Sequence, residues 1–457
     1  MVSILEVLNR WIIGIPILLS ILFVGINLTI QSGFAQIRLL PAAMKQFITS
    51  FTNNKTDNHS GYKALCTALA ATVGTGNIAG VAGAIAIGGP GAIFWIWVCA
   101  ILGMSTKLAE VTLALHYRIQ TVNQEYRGGP MYMIANGLPH KYSFLSNLYC
   151  IFGVIAAFGV GNATQVNAIT DGIRDIASTF HHTIDEFDML FVGMLIALLV
   201  WISIRSGAVS IGKWAEILVP FASVIYIILA FGVLIVRFHQ IPQVISTIVL
   251  SAFCPKAFTG GIVGSIVMTI RTGVSRGIFT NEAGMGTAGI AHAAANVKHP
   301  VEQGLMGIIE VFLDTVVICT LTAFVILCSS TTISYGSDPG IALTLDAFSA
   351  IYGDGVKIVI TCLVCILAFA TILGWGLYGA RCLQYLFGEK GWDCFFIAQL
   401  LCIVVSVMLK TSVIWSMAEI INGLMAIPNL IALILLMPNY LSILHSFQKK
   451  QEAYRCK

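Results

Sequence analysis

Hydrophobic residues in this chain fall in long runs separated by short polar stretches, with no two-residue alternation. An apolar run of about 20 residues is what an α-helix needs to cross the hydrocarbon core of a bilayer. Eleven such runs are expected, at about 11–30, 62–87, 92–115, 142–169, 189–204, 214–236, 261–291, 301–328, 355–387, 394–409 and 413–437. The first is read as an uncleaved span, because Glu6 precedes it and no small-residue cleavage site follows. The fold class expected is therefore an all-α integral membrane protein.

One run breaks the rule it otherwise follows. Residues 71–83 read ATVGTGNIAGVAG, with Gly74, Gly76, Gly80 and Gly83 inside a span and Thr72, Thr75 and Asn77 between them. Glycine costs about 1 kcal/mol relative to alanine in a helix interior, and polar groups at this depth are costly unless something satisfies them. A helix unwound at 73–77 frees peptide groups, which survive in a membrane only where they are buried in protein or line a cavity. The competing reading is close helix packing through Gly76 and Gly80. A dinucleotide fingerprint is excluded, since no strand precedes the motif and its glycine spacing is wrong.

A second interrupted run lies at 269–286, TIRTGVSRGIFTNEAGMG. It divides the chain into two halves of five runs each, 62–236 and 261–437, preceded by an extra helix and loop (1–61) and followed by a tail (438–457). The halves begin on opposite sides of the membrane, so their topologies are inverted. Paired broken helices at corresponding places of inverted repeats point to the midplane site of a secondary transporter.

Composition agrees: 57% of the 457 residues are hydrophobic and 10% charged, too few charges to coat a soluble domain. The net charge of +4 says little until the charges are placed. With the N-terminus outside, one side collects Arg38, Lys45, Lys55, Lys63, Arg118, Arg127, Lys141, Arg205, Lys213, Lys298, Arg381, Lys390 and the tail lysines. The other side holds Arg10, Arg174, Arg237, Lys256, Lys357 and Lys410, with acids such as Asp171, Asp175 and Asp338. Positive-inside bias then puts the C-terminus in the cytoplasm. No nucleic-acid motif is present, and the Cys362/Cys365 pair inside a span is read as core filler.

The chemistry available is sparse. A break at 73–77 offers N–H donors and a positive helix end to a carboxylate, and carbonyl oxygens to a hard cation. Gln165 sits inside a span, where an interhelical hydrogen bond is the alternative to substrate contact. Thr371 and Trp375 lie one turn apart on one face, fit to ligate a cation and wall a small pocket, or simply to pack. Glu310 and Asp314 are intramembrane carboxylates that hold Na⁺, carry a proton, or pair with Arg271 or Arg276. Lys107 with Glu110, and Lys213 with Glu216, are read as structural pairs near inner helix ends. Neither a channel filter nor a catalytic set is visible; His181 and His182 fall in a loop and His292 ends a span, so no enzyme is expected.

The motifs GTGNIAGVA, GGPGAIFWIWV, STKLAE, RGGPMYMI, RGIFTNEAGMGTAGIAHAA, FLDTVVICT and FATILGWGLYGARC stand in order between about 60 and 440. Together they resemble the alanine or glycine:cation symporter family, the sodium:alanine symporters. The resemblance implies a LeuT-type fold of inverted five-helix repeats with one extra N-terminal helix. It also implies Na⁺-coupled uptake of alanine or glycine by alternating access at the plasma (inner) membrane, with H⁺ coupling as the alternative and a monomer as the unit. By motif position, Thr75, Gly76, Asn77, Gln165, Thr371 and Trp375 are the expected substrate contacts, joined by Thr272 and Gly273 of the second interrupted run. The wider fold implies Na⁺ between Ala70 and Val73 on one side and Ala368 and Thr371 on the other, with a second ion region at Thr72, Asn77 and Asp314. The family pattern has a hydroxyl residue just before the threonine where this chain has Ala370, which removes one oxygen from that region.

Overall fold

A computed structural model describes residues 15–52, 58–122, 124–179, 185–255, 259, 265–408 and 411–455. The starts of the first and seventh expected spans, His181, His182, Lys55, Lys256 and Lys410 lie outside the described residues. Helix dominates, as lipid offers backbone groups no partner. Among the described residues the only paired strands are β1 (Ile119–Gln120) and β2 (Tyr126–Arg127), a small hairpin.

The helices that position the site are α1 (Ile15–Gln31), α2 (Leu40–Thr52), α3 (Asn58–Thr72), α4 (Val81–Gly88), α5 (Ala92–His116), α6 (Phe144–Phe158) and α7 (Thr164–Thr179). There follow α8 (Glu186–Ile204), α9 (Ala208–Val236), α10 (Ile266–Asn281), α11 (Thr287–His292), α12 (Pro300–Val311) and α13 (Thr320–Cys328). The chain ends with α14 (Ala342–Tyr352), α15 (Gly355–Phe387), α16 (Glu389–Ser406), α17 (Thr411–Leu435) and α18 (Met437–Arg455).

Among the described residues, six helices are long and apolar enough to cross a membrane, or eight if each of two bent pairs counts as one span. The eleven expected runs are thus not all recovered as full spans, and the shortfall has local causes. α1 is described only from Ile15, and α10 runs 16 residues before the chain breaks. α16 carries Glu389, Lys390 and Asp393 within its 18 residues. α14 is a short apolar helix in a stretch read as loop.

The core is built around α15, which is buried along most of its length and packs on α3, α6, α7, α9 and α16. A Cβ at Gly374 would stand 2.9 Å from the backbone nitrogen of Ala71, so α15 and the end of α3 meet almost backbone to backbone. α5 packs on α10, α11 and α12. Among the described residues six cysteines, including Cys66, Cys319 and Cys382, are buried and unbridged, whereas Cys362 is exposed rather than core.

Candidate functional site

α3 ends at Thr72, and the chain resumes as a wide π-turn, Gly76–Gly80, running into α4; the two halves meet at 54°. The last regular bond is Val73 N–H to Leu69 O at 2.7 Å. In an unbroken helix the Gly74 N–H would bond the Ala70 carbonyl. Instead it donates to Asn77 Oδ1 at 2.9 Å, which releases that carbonyl from the ladder. Gly74 is required by crowding: a Cβ there would lie 2.7 Å from Thr371 Oγ1. The break expected at 73–77 is present but shorter: residues 73–75 stand between the helices, and Gly76 and Asn77 are already in the π-turn.

Neutral polar groups gather on this break. Thr75 Oγ1 donates to Gln165 Oε1 at 3.3 Å. Thr371 Oγ1 donates to Leu367 O at 3.0 Å, which leaves its lone pairs facing the break. Asn77 Nδ2 donates to Asp314 Oδ1 at 2.7 Å and to Asp314 O at 3.0 Å. Asp314 Oδ2 accepts from Thr315 Oγ1 at 2.7 Å. Among the described residues no cation pairs with this buried carboxyl. Thr72 Oγ1 donates to Ala68 O at 3.3 Å.

Two π-turns meet here, Gly76–Gly80 and Phe312–Cys319; the one second in chain order, Gly159–Ala163, is reached through Gln165, whose Nε2 donates to Val160 O at 3.2 Å. Such turns recur at functional sites because one extra residue per turn re-aims the backbone. The first and third are tied by Asn77 and Asp314, and Gly161 of the second lies against Trp375 Cβ. Above the break opens a cavity of about 610 Å³ whose lining includes Thr75, Thr164, Asp171, Asp175, Arg276 and Asp338. Arg276 bridges to Asp338 at 3.1 Å beside this opening.

The second break lies at the far end of its run. α10 is continuous through Thr272 and Gly273, and the backbone turns left-handed only at Glu282 (φ 53°), Gly284 (φ 94°) and Gly286 (φ 79°). Thr272 and Gly273 therefore belong to an unbroken helix, against Gly88 and Trp95 respectively, and not to the opening. The opening itself is clamped. Glu282 accepts from Thr287 Oγ1 at 2.6 Å and from Trp375 Nε1 at 2.9 Å. Trp375 does not line the cavity; its fully buried indole reaches from α15 to this second break, while Thr371 one turn earlier faces the first.

Pairings read from sequence are corrected by position in space. Glu310 pairs with Lys107 at 2.7 Å and His292 at 3.2 Å, not with Arg271 or Arg276. Glu110 consequently is not the partner of Lys107; it accepts from the N–H groups of Gly284 and Gly286. Glu216 bridges to Lys63 at 3.6 Å rather than to Lys213. The clamp formed by Glu110 and Asn429 on Gly284 and Gly286 escaped the sequence reading. Its one signal was two charges three residues apart in STKLAE with apolar residues on both sides.

The description "Sodium:alanine symporter family" matches residues 1–456. A sodium/alanine symporter of Methanococcus maripaludis is 41% identical over 440 residues, covering 95% of this chain and 94% of that protein. A probable sodium/glutamine symporter of Bacillus subtilis is 35% identical, covering 96% of this chain and 88% of that protein. The crystal structure of MhsT in complex with L-phenylalanine superposes with a TM-score of 0.60 at 15% identity, covering 82% of this chain and 88% of that one. The fold is therefore that of the LeuT-type transporters, in a multi-pass membrane protein that is a transporter and not an enzyme. By sequence over its whole length, the chain belongs to the sodium:alanine symporter family.

Proposed function

We propose that the protein carries a small neutral amino acid, alanine or glycine, into the cell with Na⁺ by alternating access. One observation carries the reading: at the first break the Gly74 N–H leaves the helix ladder and Thr371 Oγ1 faces the gap. An unladdered Ala70 carbonyl, the neighbouring Val73 carbonyl, the Ala368 turn and the Thr371 hydroxyl are oxygen donors of the kind a hard monovalent cation prefers. The amino acid binds beside them, its carboxylate at the N-terminal end of the Gly76–Gly80 turn. Thr75, Gly76, Asn77 and Gln165 orient it, and Thr371 connects it to the ion. Asp314, with Thr72 and Asn77, is a second place for a cation, supported by the absence of a cationic partner among the described residues.

The topology that goes with this reading has eleven spans, repeats at 62–236 and 261–437, the N-terminus outside, the tail 438–457 inside and a monomeric unit in the plasma membrane. Movement of the two broken helices with their neighbours against the rest exchanges access. The membrane potential contributes about 2.3 kcal/mol per charge per 100 mV, sufficient for one Na⁺ to drive accumulation. Uptake of labelled alanine into proteoliposomes, with and without an inward Na⁺ gradient, tests it. Uptake driven only by a pH gradient would replace Na⁺ with H⁺; no uptake of any small amino acid would end the reading.

A further inference from the structure

The second break holds a group that the transport reading does not use. Glu110, on α5, is 1% exposed, and its two oxygens are treated differently. Oε1 accepts from the N–H groups of Gly284 and Gly286, both at 3.0 Å, and from Asn429 Nδ2 at 2.6 Å. Oε2 is buried with no hydrogen-bond partner among the described residues. Asn429, on α17, has the matching defect. Its Nδ2 also donates to Gly284 O at 2.9 Å, and two acceptors on one atom fix which end of the amide is nitrogen. Oδ1 is then the end left buried without a partner. Carboxyl and amide are joined by one bond, and each keeps one stranded acceptor.

An anionic oxygen in such a place has lost its water and gained nothing in exchange. Among the described residues the surroundings offer Oε2 no direct donor, although Lys107 lies within electrostatic reach of Glu110. Lys107, on the same helix, is committed to Glu310, and so is His292 of α11. Glu282 adds a further carboxyl, held by the neutral donors Thr287 and Trp375. Tyr149 of α6 lies within electrostatic reach of Glu110, and Tyr378 of α15 within reach of Tyr149. Among the described residues both hydroxyls are without partners, so neither serves Oε2. Three acidic side chains thus face one lysine.

We propose that Glu110 binds a proton on Oε2 and shares it with Asn429 Oδ1, making the closed second break a proton site. One hydrogen satisfies both stranded oxygens, since the neutral acid donates where the anion only accepts. The same carboxyl grips the N–H groups of Gly284 and Gly286 while Asn429 grips the Gly284 carbonyl. Proton occupancy is therefore tied to the position of α11, and losing the proton favours an opened, hydrated break. The site is separate from the first break and stands whichever cation drives transport.

Infrared difference spectroscopy on the purified full chain in lipid, wild type minus Glu110→Gln at neutral pH, tests the proposal. The glutamine keeps the shape and offers its own N–H₂ to Asn429. The expected result is a protonated-carboxyl C=O band in the wild type that the variant lacks and that alkaline pH removes. A difference showing only carboxylate bands overturns it. Should Glu110→Gln fail to fold, the O–D stretch of the deuterated carboxyl in Asn429→Leu decides: it moves to higher frequency if Asn429 accepts the shared hydrogen, and an unmoved O–D band overturns the sharing. Na⁺-dependent alanine binding by the same preparations reports on the first break, so failure of one reading is distinguishable from failure of the other.

Discussion

The two breaks are made of different materials. The first, at 73–75, is surrounded by uncharged Thr75, Asn77, Gln165 and Thr371 and lies beneath an open cavity, with Asp314 behind Asn77. The second, at 282–286, uses left-handed backbone and is held by Glu110, Glu282, Asn429 and Trp375. At the first, Thr75 lines the cavity, with Asn77, Gln165 and Thr371 buried behind it; uncharged oxygens are fit to exchange partners, because releasing them leaves no bare charge. Carboxyl groups clamped on backbone N–H are fit to hold a conformation. Binding therefore belongs to the first break and control of geometry to the second, with α15 touching both through Thr371 and Trp375.

Four substitutions or titrations sharpen that contrast, in falling order of effect. Asn77→Leu strips Asp314 of its amide donor and Gly74 of its acceptor, leaving a buried acid short of partners; about 3 kcal/mol of stability or more is expected to go. A lowered unfolding temperature together with lost uptake checks it. Trp375→Phe removes the indole donor to Glu282 and is expected to cost roughly 1–3 kcal/mol of stability while moving Na⁺ affinity little. A large fall in Na⁺ affinity without destabilisation would merge the two regions. Thr75→Val loses only the bond to Gln165, so amino-acid affinity should weaken by about 1 kcal/mol, roughly fivefold, in equilibrium binding.

The smallest effect lies outside both breaks. At the β1–β2 hairpin, burial raises the Glu125 carboxyl, but bonds to Arg381 and Arg127 outweigh it and hold it below the usual carboxylate range. A depressed folded value means the contribution is complete above the ordinary carboxylate pKa and is lost as pH falls through the depressed one. Unfolding temperature followed into acid should therefore decline less steeply in Glu125→Gln than in the wild type, from a lower start.

Much of this was legible in the chain. Four glycines inside one apolar run announced the first break, since no unbroken helix gains from them. The second interruption was visible but misplaced toward Thr272 and Gly273. Glycine serves two purposes that sequence does not separate: a Cβ at Gly277 would stand 2.9 Å from Cys99 Cβ, a packing need, whereas Gly284 and Gly286 supply positive φ. Charge pairing was the least legible, because Lys107 and Glu310 meet only through the packing of α5 on α12. Trp375 was recognised as a site residue, but that its indole reaches Glu282 depends on a bend no periodicity reveals.

The Na⁺ concentration dependence of alanine binding, compared between wild type and Thr371→Val, tests the central claim most directly. Valine keeps the volume beside Gly74 and removes the oxygen. The account predicts a Na⁺ requirement shifted to roughly tenfold higher concentration or beyond, on the order of the 1.4 kcal/mol that one ligand bond represents. An unchanged Na⁺ dependence in a folded variant would contradict it.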